Sequence, residues 1–424
     1  MTHFCKLLLL LFSLALALPA AAVQPVAPVA AQTSPAFDVE AATQHYLDTL
    51  TPAQKAKSDA YFEGGYWLQL WQLLYGLAVA AVFLRLGLGR WLTRVAARLP
   101  RPWLQRWAYL AGYLLLAWVL SFPLSVYVGW VREQQYGMSN ETLGAWLADA
   151  LKGLALSVVF GSLLLLGVYA AVRRTGRQGW VWATGIVAVA LVLMVFVSPV
   201  FVAPLFNKYT PLPAGPVREG ILRMARANAV PADNVYLVDA SKQSKRISAN
   251  VSGLGSTIRV SLNDNLLNRC TPAEVQSVMG HELGHYVLNH IPKMLVFFVV
   301  LIGLGLWAVD AVFHRLVGRY GPGWGIASLG DVAGLPLVMA LLAVFSFLAT
   351  PVFNTIIRTQ EQEADMFGLN AAREPDAFAK VAMKLSEYRK INPGPVEEML
   401  FFDHPSGHTR VHTAMQWKAE QPPK

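Results

Sequence analysis

Apolar residues run through this 424-residue chain in long blocks rather than in alternation. Six uncharged blocks are long enough to predict a bilayer-crossing helix each: 66–84, 107–130, 153–172, 179–206, 294–309 and 332–357. The fifth is the shortest and can be extended past Asp310. Pro123, Pro199, Pro204, Pro336 and Pro351 lie inside these blocks or near their ends, where proline kinks or ends a helix. No sequence repeat relates the two halves, which argues against a transporter of inverted halves. The largest polar insertion, 207–293, follows the fourth block. Within it, 216–229 has the period of an amphipathic helix and 235–238 reads as a short strand. Segments 247–252 and 256–262 read as a hairpin around Gly253-Leu254-Gly255. After the sixth block, 376–390 reads as another amphipathic helix. The expected fold is mainly α: a multi-span helix bundle carrying an extramembrane α+β domain.

Composition supports that division. Hydrophobic residues make up 55% of the chain and charged residues 14%, and the mean hydropathy is +0.41. A soluble protein of two or three domains is excluded, and the lipid bilayer becomes a partner. The net charge of +9 does not point to nucleic acid, because much of the arginine sits between spans. Arg85, Arg90, Arg94, Arg98, Arg101 and Arg106 separate the first two. Arg173, Arg174 and Arg177 separate the third and fourth, and Arg315 and Arg319 the fifth and sixth. The positive-inside rule places these three loops in the cytoplasm. Residues 207–293, the C-terminal tail and the mature N-terminus then face the periplasm or cell exterior of an inner-membrane protein.

Residues 1–22 read as a secretory signal, with Lys6 before a twelve-residue apolar run and Ala20-Ala21-Ala22 as the cleavage site. The alternative is an uncleaved anchor. Cleavage removes Cys5 and leaves Cys270 without a partner for an internal disulfide. Residues 23–65 form a linker, rich in alanine and proline to about residue 35, and then a polar helix capped by Thr51. The remaining divisions are four spans over 66–206, a catalytic domain over 207–293, two spans over 294–357, and the rest of the active site over 358–424.

The chemistry concentrates in His281-Glu282-Leu283-Gly284-His285. Thr271, Pro272 and Glu274 supply an N-cap, a first-turn proline and a capping box, so the stretch is predicted to be helical. Positions i and i+4 share a helix face, so His281 and His285 can present two imidazoles to one zinc ion. Glu282 stands beside them as the general base for a zinc-activated water. A third ligand is expected at Glu361, with Asp365 one turn later supporting a ligating histidine. Glu363 points elsewhere and reads as a solvated residue. His404 and Arg410 are candidates to stabilise the oxyanion. A rival reading takes the third ligand from His404, His408 or His412, which recur every four residues. His290 reads as a polar helix-end residue. The hairpin carrying Asn250 offers an edge along which an extended substrate could pair; a purely structural hairpin is the alternative.

Together these pieces resemble the CAAX prenyl protease 1 family, multi-pass membrane zinc endopeptidases related to HtpX. The matching residues are His281-Glu282-Leu283-Gly284-His285, Arg358 with Glu361, Ala364 and Asp365, and His404-Pro405-Ser406 followed by Arg410. Ser248-Ala249-Asn250 with Gly253, and residues 258–267, resemble the family's substrate-side strand. The resemblance spans roughly Thr51 to the C-terminus. It implies one zinc per chain on His281, His285 and Glu361, with Glu282 as base and Asp365 as support. It also implies that His404 and Arg410 lie near the oxyanion. The expected substrate is a peptide or membrane-associated protein. Where the family has a first membrane helix this chain reads as a signal peptide. With the site facing outward, prenylated cytoplasmic proteins are not the expected substrates. The alternatives are a cytoplasm-facing CAAX-type or quality-control protease, and a catalytically silent scaffold. The intact Glu282 argues against the latter.

Overall fold

The structure, a computed structural model, describes residues 37–253 and 258–421. The signal segment and the turn at Leu254-Gly255 lie outside the described residues. The first helix, α1 (Val39–Leu47), was not foreseen in the sequence. Thr51 and Gln54 then form a reciprocal capping box that starts α2 (Pro52–Leu84), which runs unbroken from a polar first half into the apolar block. A short amphipathic helix, α3 (Leu88–Ala96), buries Leu92 and Ala96 and leaves Trp91 exposed.

Five helical stretches among the described residues are long and apolar enough to cross a membrane: Pro52–Leu84, Pro102–Gln135, Leu143–Leu205, His290–Trp324 and Val332–Ala372. We label the second α4. The third doubles back at Gly176, whose φ of +54° suits glycine. Its arms are α5 (Leu143–Leu156) with α6 (Ser162–Thr175), and α7 (Gly179–Val197). Each of the six apolar blocks therefore corresponds to a helix. Phe160, Phe201, Val296 and Leu348 project from them unburied, as residues meeting lipid do.

The polar insertion opens with a strand the sequence did not reveal, β1 (Tyr209–Pro211), and α8 (Pro216–Ala227) follows. Strands β2 (Val235–Val238), β3 (Ala249–Ser252) and β4 (Arg259–Asn263) complete a four-stranded sheet of order β1-β2-β4-β3. The β2–β4 pair is parallel, with Val235 opposite Val260, and the β3–β4 pair is antiparallel, with Asn250 opposite Ser261. Thus β3 forms an edge of the sheet. Asn263 fixes it there: its side chain accepts from Ser248 N, donates to Arg246 O and caps α9 (Asp264–Arg269). Val235, Val260, Leu262, Ile221, Met279 and Leu283 form the core beneath the sheet.

Next come α10 (Pro272–Val287), α11 (His290–Trp324) and α12 (Leu335–Ala372). Arg315 and Arg319, expected in a loop, lie on α11, which continues through Asp310 to Trp324. The apolar count marks the thickness of the bilayer, not the end of the helix, and charged residues continue a helix readily. Pro336 sits in the first turn of α12, and Pro351 lies within it without ending it. The chain closes with α13 (Pro375–Leu385), shorter than expected, α14 (Pro395–Phe401) and α15 (Gly407–Glu420). Helix α1 packs on this part: Leu47 joins Phe378 and Val411, and Tyr46 Oη donates to Asp376 Oδ1 at 2.7 Å. The N-terminal helix, the sheet and the C-terminal helices therefore share one side of the bundle. Gly325 and Gly330, on the turn between α11 and α12, pack against the stems of Arg90 and Arg173 at the other end.

Candidate active site

Helix α10 starts as its sequence demands. Thr271 N donates to Glu274 Oε2 at 2.7 Å, and the buried Glu274 also accepts from Lys384 Nζ at 2.7 Å. Two glycines let it approach α12. A Cβ on Gly280 would lie 3.1 Å from Gly368 O, and one on Gly284 would press on Phe367. The reciprocal contact is tighter still: a Cβ on Gly368 would lie 2.8 Å from His281 N. Small residues at this crossing bring the two helix backbones close enough for side chains of both to meet.

At that crossing three donors converge. His281 Nε2 and His285 Nε2 are 3.1 Å apart. Glu361 Oε2 is 3.3 Å from the first and Glu361 Oε1 is 3.4 Å from the second. Tetrahedral bonds of about 2.0–2.2 Å place donors about 3.3–3.6 Å apart, so the spacing, close to the lower end of that range, fits one zinc ion. Two neutral-capable imidazoles and a carboxylate are the donor chemistry of an open zinc site.

Each histidine is held from behind. His281 Nδ1 donates to Asp365 Oδ1 at 2.7 Å. Asp365 is in turn gripped by Arg410 of α15, through Nε to Oδ2 at 2.9 Å and through Nη2 to Oδ1. All three are buried. Burial works against a charge on His281, but Asp365 and then Glu361 outweigh it and raise its pKa. His285 is braced differently: its Nδ1 lies 2.9 Å from His290 Nδ1, and His290 Nε2 lies 3.0 Å from Glu363 Oε2. Burial, then the positive charge of His281, lowers its pKa to about 4. Glu282 has no hydrogen-bond partner among the described residues. Burial pushes its carboxyl up to about 7; His281 opposes the rise and Glu361 adds to it.

The site opens into a cavity of about 210 Å³. Ser248 and Ala249 of the β3 edge line it, together with Glu282, Glu361 and His404. His404 Nε2 is 3.3 Å from Glu361 Oε2, and its Nδ1 is 2.8 Å from Asp403 Oδ1. Arg358, on α12, donates to Glu398 O and Phe402 O, and so holds the loop that carries His404.

Two family models match this chain end to end. The CAAX prenyl protease N-terminal model, with five membrane helices, matches residues 39–208, and the model of peptidase family M48 matches residues 211–418. The chain belongs to peptidase family M48. It is a membrane metallopeptidase of the CAAX prenyl protease type. An uncharacterized metalloprotease, YhfN of Bacillus subtilis, is 28% identical over 81% of this chain and 80% of its own. CAAX prenyl protease 1 of Saccharomyces cerevisiae is 26% identical over 72% of this chain and 71% of its own. The crystal structure of S. mikatae Ste24p shares the fold. Its TM-score is 0.73 at 22% identity, over 89% of this chain and 94% of that one.

Within this M48 fold, some sequence expectations need correction. Glu363 is half exposed but not idle, because it holds His290. His290 is buried against His285 rather than merely ending a helix. The turn that places it there, Asn289 at φ +57°, leaves no helical period to read. Arg410 reaches the site, but two of its nitrogens are committed to Asp365. His408 and His412 stack on each other, and His412 faces Glu40 of α1, away from Glu361. Tyr388 and Arg389 line the cavity without any motif to announce them.

Proposed function

We propose that this M48 peptidase is a zinc metalloendopeptidase in which His281, His285 and Glu361 hold one zinc ion and Glu282 is the general base. The observation that carries the reading is three donors 3.1–3.4 Å apart, with the Glu282 carboxylate, one residue from the first, lining the same cavity without a hydrogen-bond partner among the described residues. When bound, zinc supplies Lewis-acid polarisation and a water that is acidic near neutral pH. The chain's residues do the rest. The Glu282 carboxylate takes a proton from the attacking water and hands it to the leaving amine nitrogen. An extended peptide pairs with the β3 edge at Ser248-Ala249-Asn250, which sets the scissile carbonyl in the cavity. His404, with Nδ1 turned to Asp403, offers Nε2 to the developing oxyanion. Asp365 orients His281, and Arg410 is a positioning residue acting through Asp365.

The expected substrate is a peptide or membrane-associated protein presented at the periplasmic face. Two sequence features support that side: the arginine loops lie at the opposite end of the bundle, and a leader of secretory type precedes α1. The catalytic part then draws on both 207–293 and 358–424. The alternative is the opposite polarity, with the site at the cytoplasmic face. Reporter fusions after Lys208 and after the last residue separate the two: a periplasmic reporter active at both points supports the outward site, and cytoplasmic activity at both reverses it.

Zinc analysis of the purified protein tests the chemistry. Wild type should carry about one zinc per chain and Glu361→Ala almost none. Glu282→Gln should keep its zinc and lose about 10²–10⁴-fold in peptide hydrolysis. Zinc retained in Glu361→Ala would place the third ligand elsewhere.

A further inference from the structure

An apolar cavity of about 340 Å³ lies between α6, α7, α11 and α12, away from the active site. It follows α12 from Leu335 to Phe353, eighteen residues or about 27 Å at helical rise. That exceeds the depth of one leaflet, half of a hydrocarbon core about 30 Å thick. At the arginine-rich end it adjoins a polar hollow, and Val172 and Leu329 line both. Arg173, Arg177 and His314 line this mouth, with Asp310 the carboxylate beside them. His314 Nδ1 donates to the Asp310 backbone oxygen at 2.8 Å, so the Asp310 carboxylate offsets one of the two arginine charges at the mouth.

The mouth holds more positive charge than the protein neutralises. Among the described residues neither Arg173, Arg174 and Arg177 nor the arginines from Arg85 to Arg106 pair with a carboxylate. Tyr169, one turn deeper, lines the apolar cavity with its hydroxyl closed off inside the bundle core beside Tyr109 and Tyr113, so the cavity wall below the arginines is apolar.

We propose that this cavity binds one anionic phospholipid, with its phosphate at Arg173 and Arg177 and an acyl chain along α12. The order of features along the cavity, cationic and then apolar, is the order of headgroup and acyl chain in a glycerophospholipid. Basic hollows between membrane helices recognise lipid headgroups through the same charge complementarity.

Native mass spectrometry of the full-length protein tests it, with phosphatidylglycerol and phosphatidylcholine of matched chains as probes. Wild type should bind one phosphatidylglycerol in preference to phosphatidylcholine. Arg173→Gln with Arg177→Gln should weaken that binding about 30-fold, at roughly a factor of five for each arginine. Arg173→Lys with Arg177→Lys should retain most of it. Val338→Trp, which fills the cavity, should exclude both lipids. Zinc content at the wild-type level in each variant shows that it is folded. An equal loss in Arg94→Gln with Arg98→Gln, outside the cavity, would overturn the proposal in favour of a diffuse cationic surface. Displacement by inorganic phosphate alone would overturn it in favour of a free-anion site.

Discussion

His281 and His285 stand one turn apart on the same helix, yet they are held in opposite ways. The brace on His281 comes from afar. Asp365 lies 84 residues away in sequence, and Arg410 lies a further 45 beyond it. Every member is buried, so the hydrogen bonds act where water does not weaken them. The brace on His285 is assembled from His290, five residues on, and from Glu363, whose side chain is 47% exposed. Water can substitute for Glu363 and cannot reach Asp365. The first imidazole is therefore fixed by a buried pair of distant residues, and the second by a neighbouring histidine whose own partner on α12 is open to solvent.

Arg410→Ala should disturb this contrast most. It leaves the buried Asp365 with His281 alone and without its guanidinium, at a cost of about 3–5 kcal/mol in stability, readable as a lowered melting temperature. Zinc affinity should fall about 10–100-fold by competition with a chelator, because His281 loses its orientation. Gly368→Ala should come next. The new methyl presses on the backbone at His281 and pushes α10 off α12, costing about 1–3 kcal/mol. It should weaken zinc binding without touching any donor. His290→Ala should lower zinc affinity by less than about tenfold, since His285 then turns to water for a partner. Glu363→Gln should have the smallest effect, near the limit of detection. If His290→Ala proved as damaging as Asp365→Ala, the two braces would be equivalent and the distinction wrong.

The sequence revealed what depends on local pattern. Six apolar blocks announced the spans because crossing a bilayer sets a minimum apolar length. The capping box at Thr271 and Glu274 announced α10, and the i,i+4 pair of Glu361 and Asp365 announced the helix that meets it. The residues that escaped notice do their work through tertiary contact. Gly368 is one glycine among many until His281 is set against it. Glu363 is solvated, as its helical period suggests, but its pairing with His290 escaped notice because that partner lies 73 residues earlier. Arg410 was placed in the right neighbourhood, but spacing does not reveal which oxygen a guanidinium grips. Arg315 and Arg319 were misplaced because hydropathy measures lipid contact, and α11 continues beyond the lipid.

Glu361 is carried by the same rod that crosses the bilayer, while His281 and His285 stand on a helix packed against the sheet. From Pro351, where the rod lacks one backbone hydrogen bond, to Glu361 is ten residues, a lever of about 15 Å. Tilting that lever by about 4° displaces the carboxylate by roughly 1 Å, as much as the difference between a bond and a gap. A helix answers a change in bilayer thickness by tilting. The separation between Glu361 and the two imidazoles therefore depends on how firmly the glycine-lined crossing holds α12 against α10.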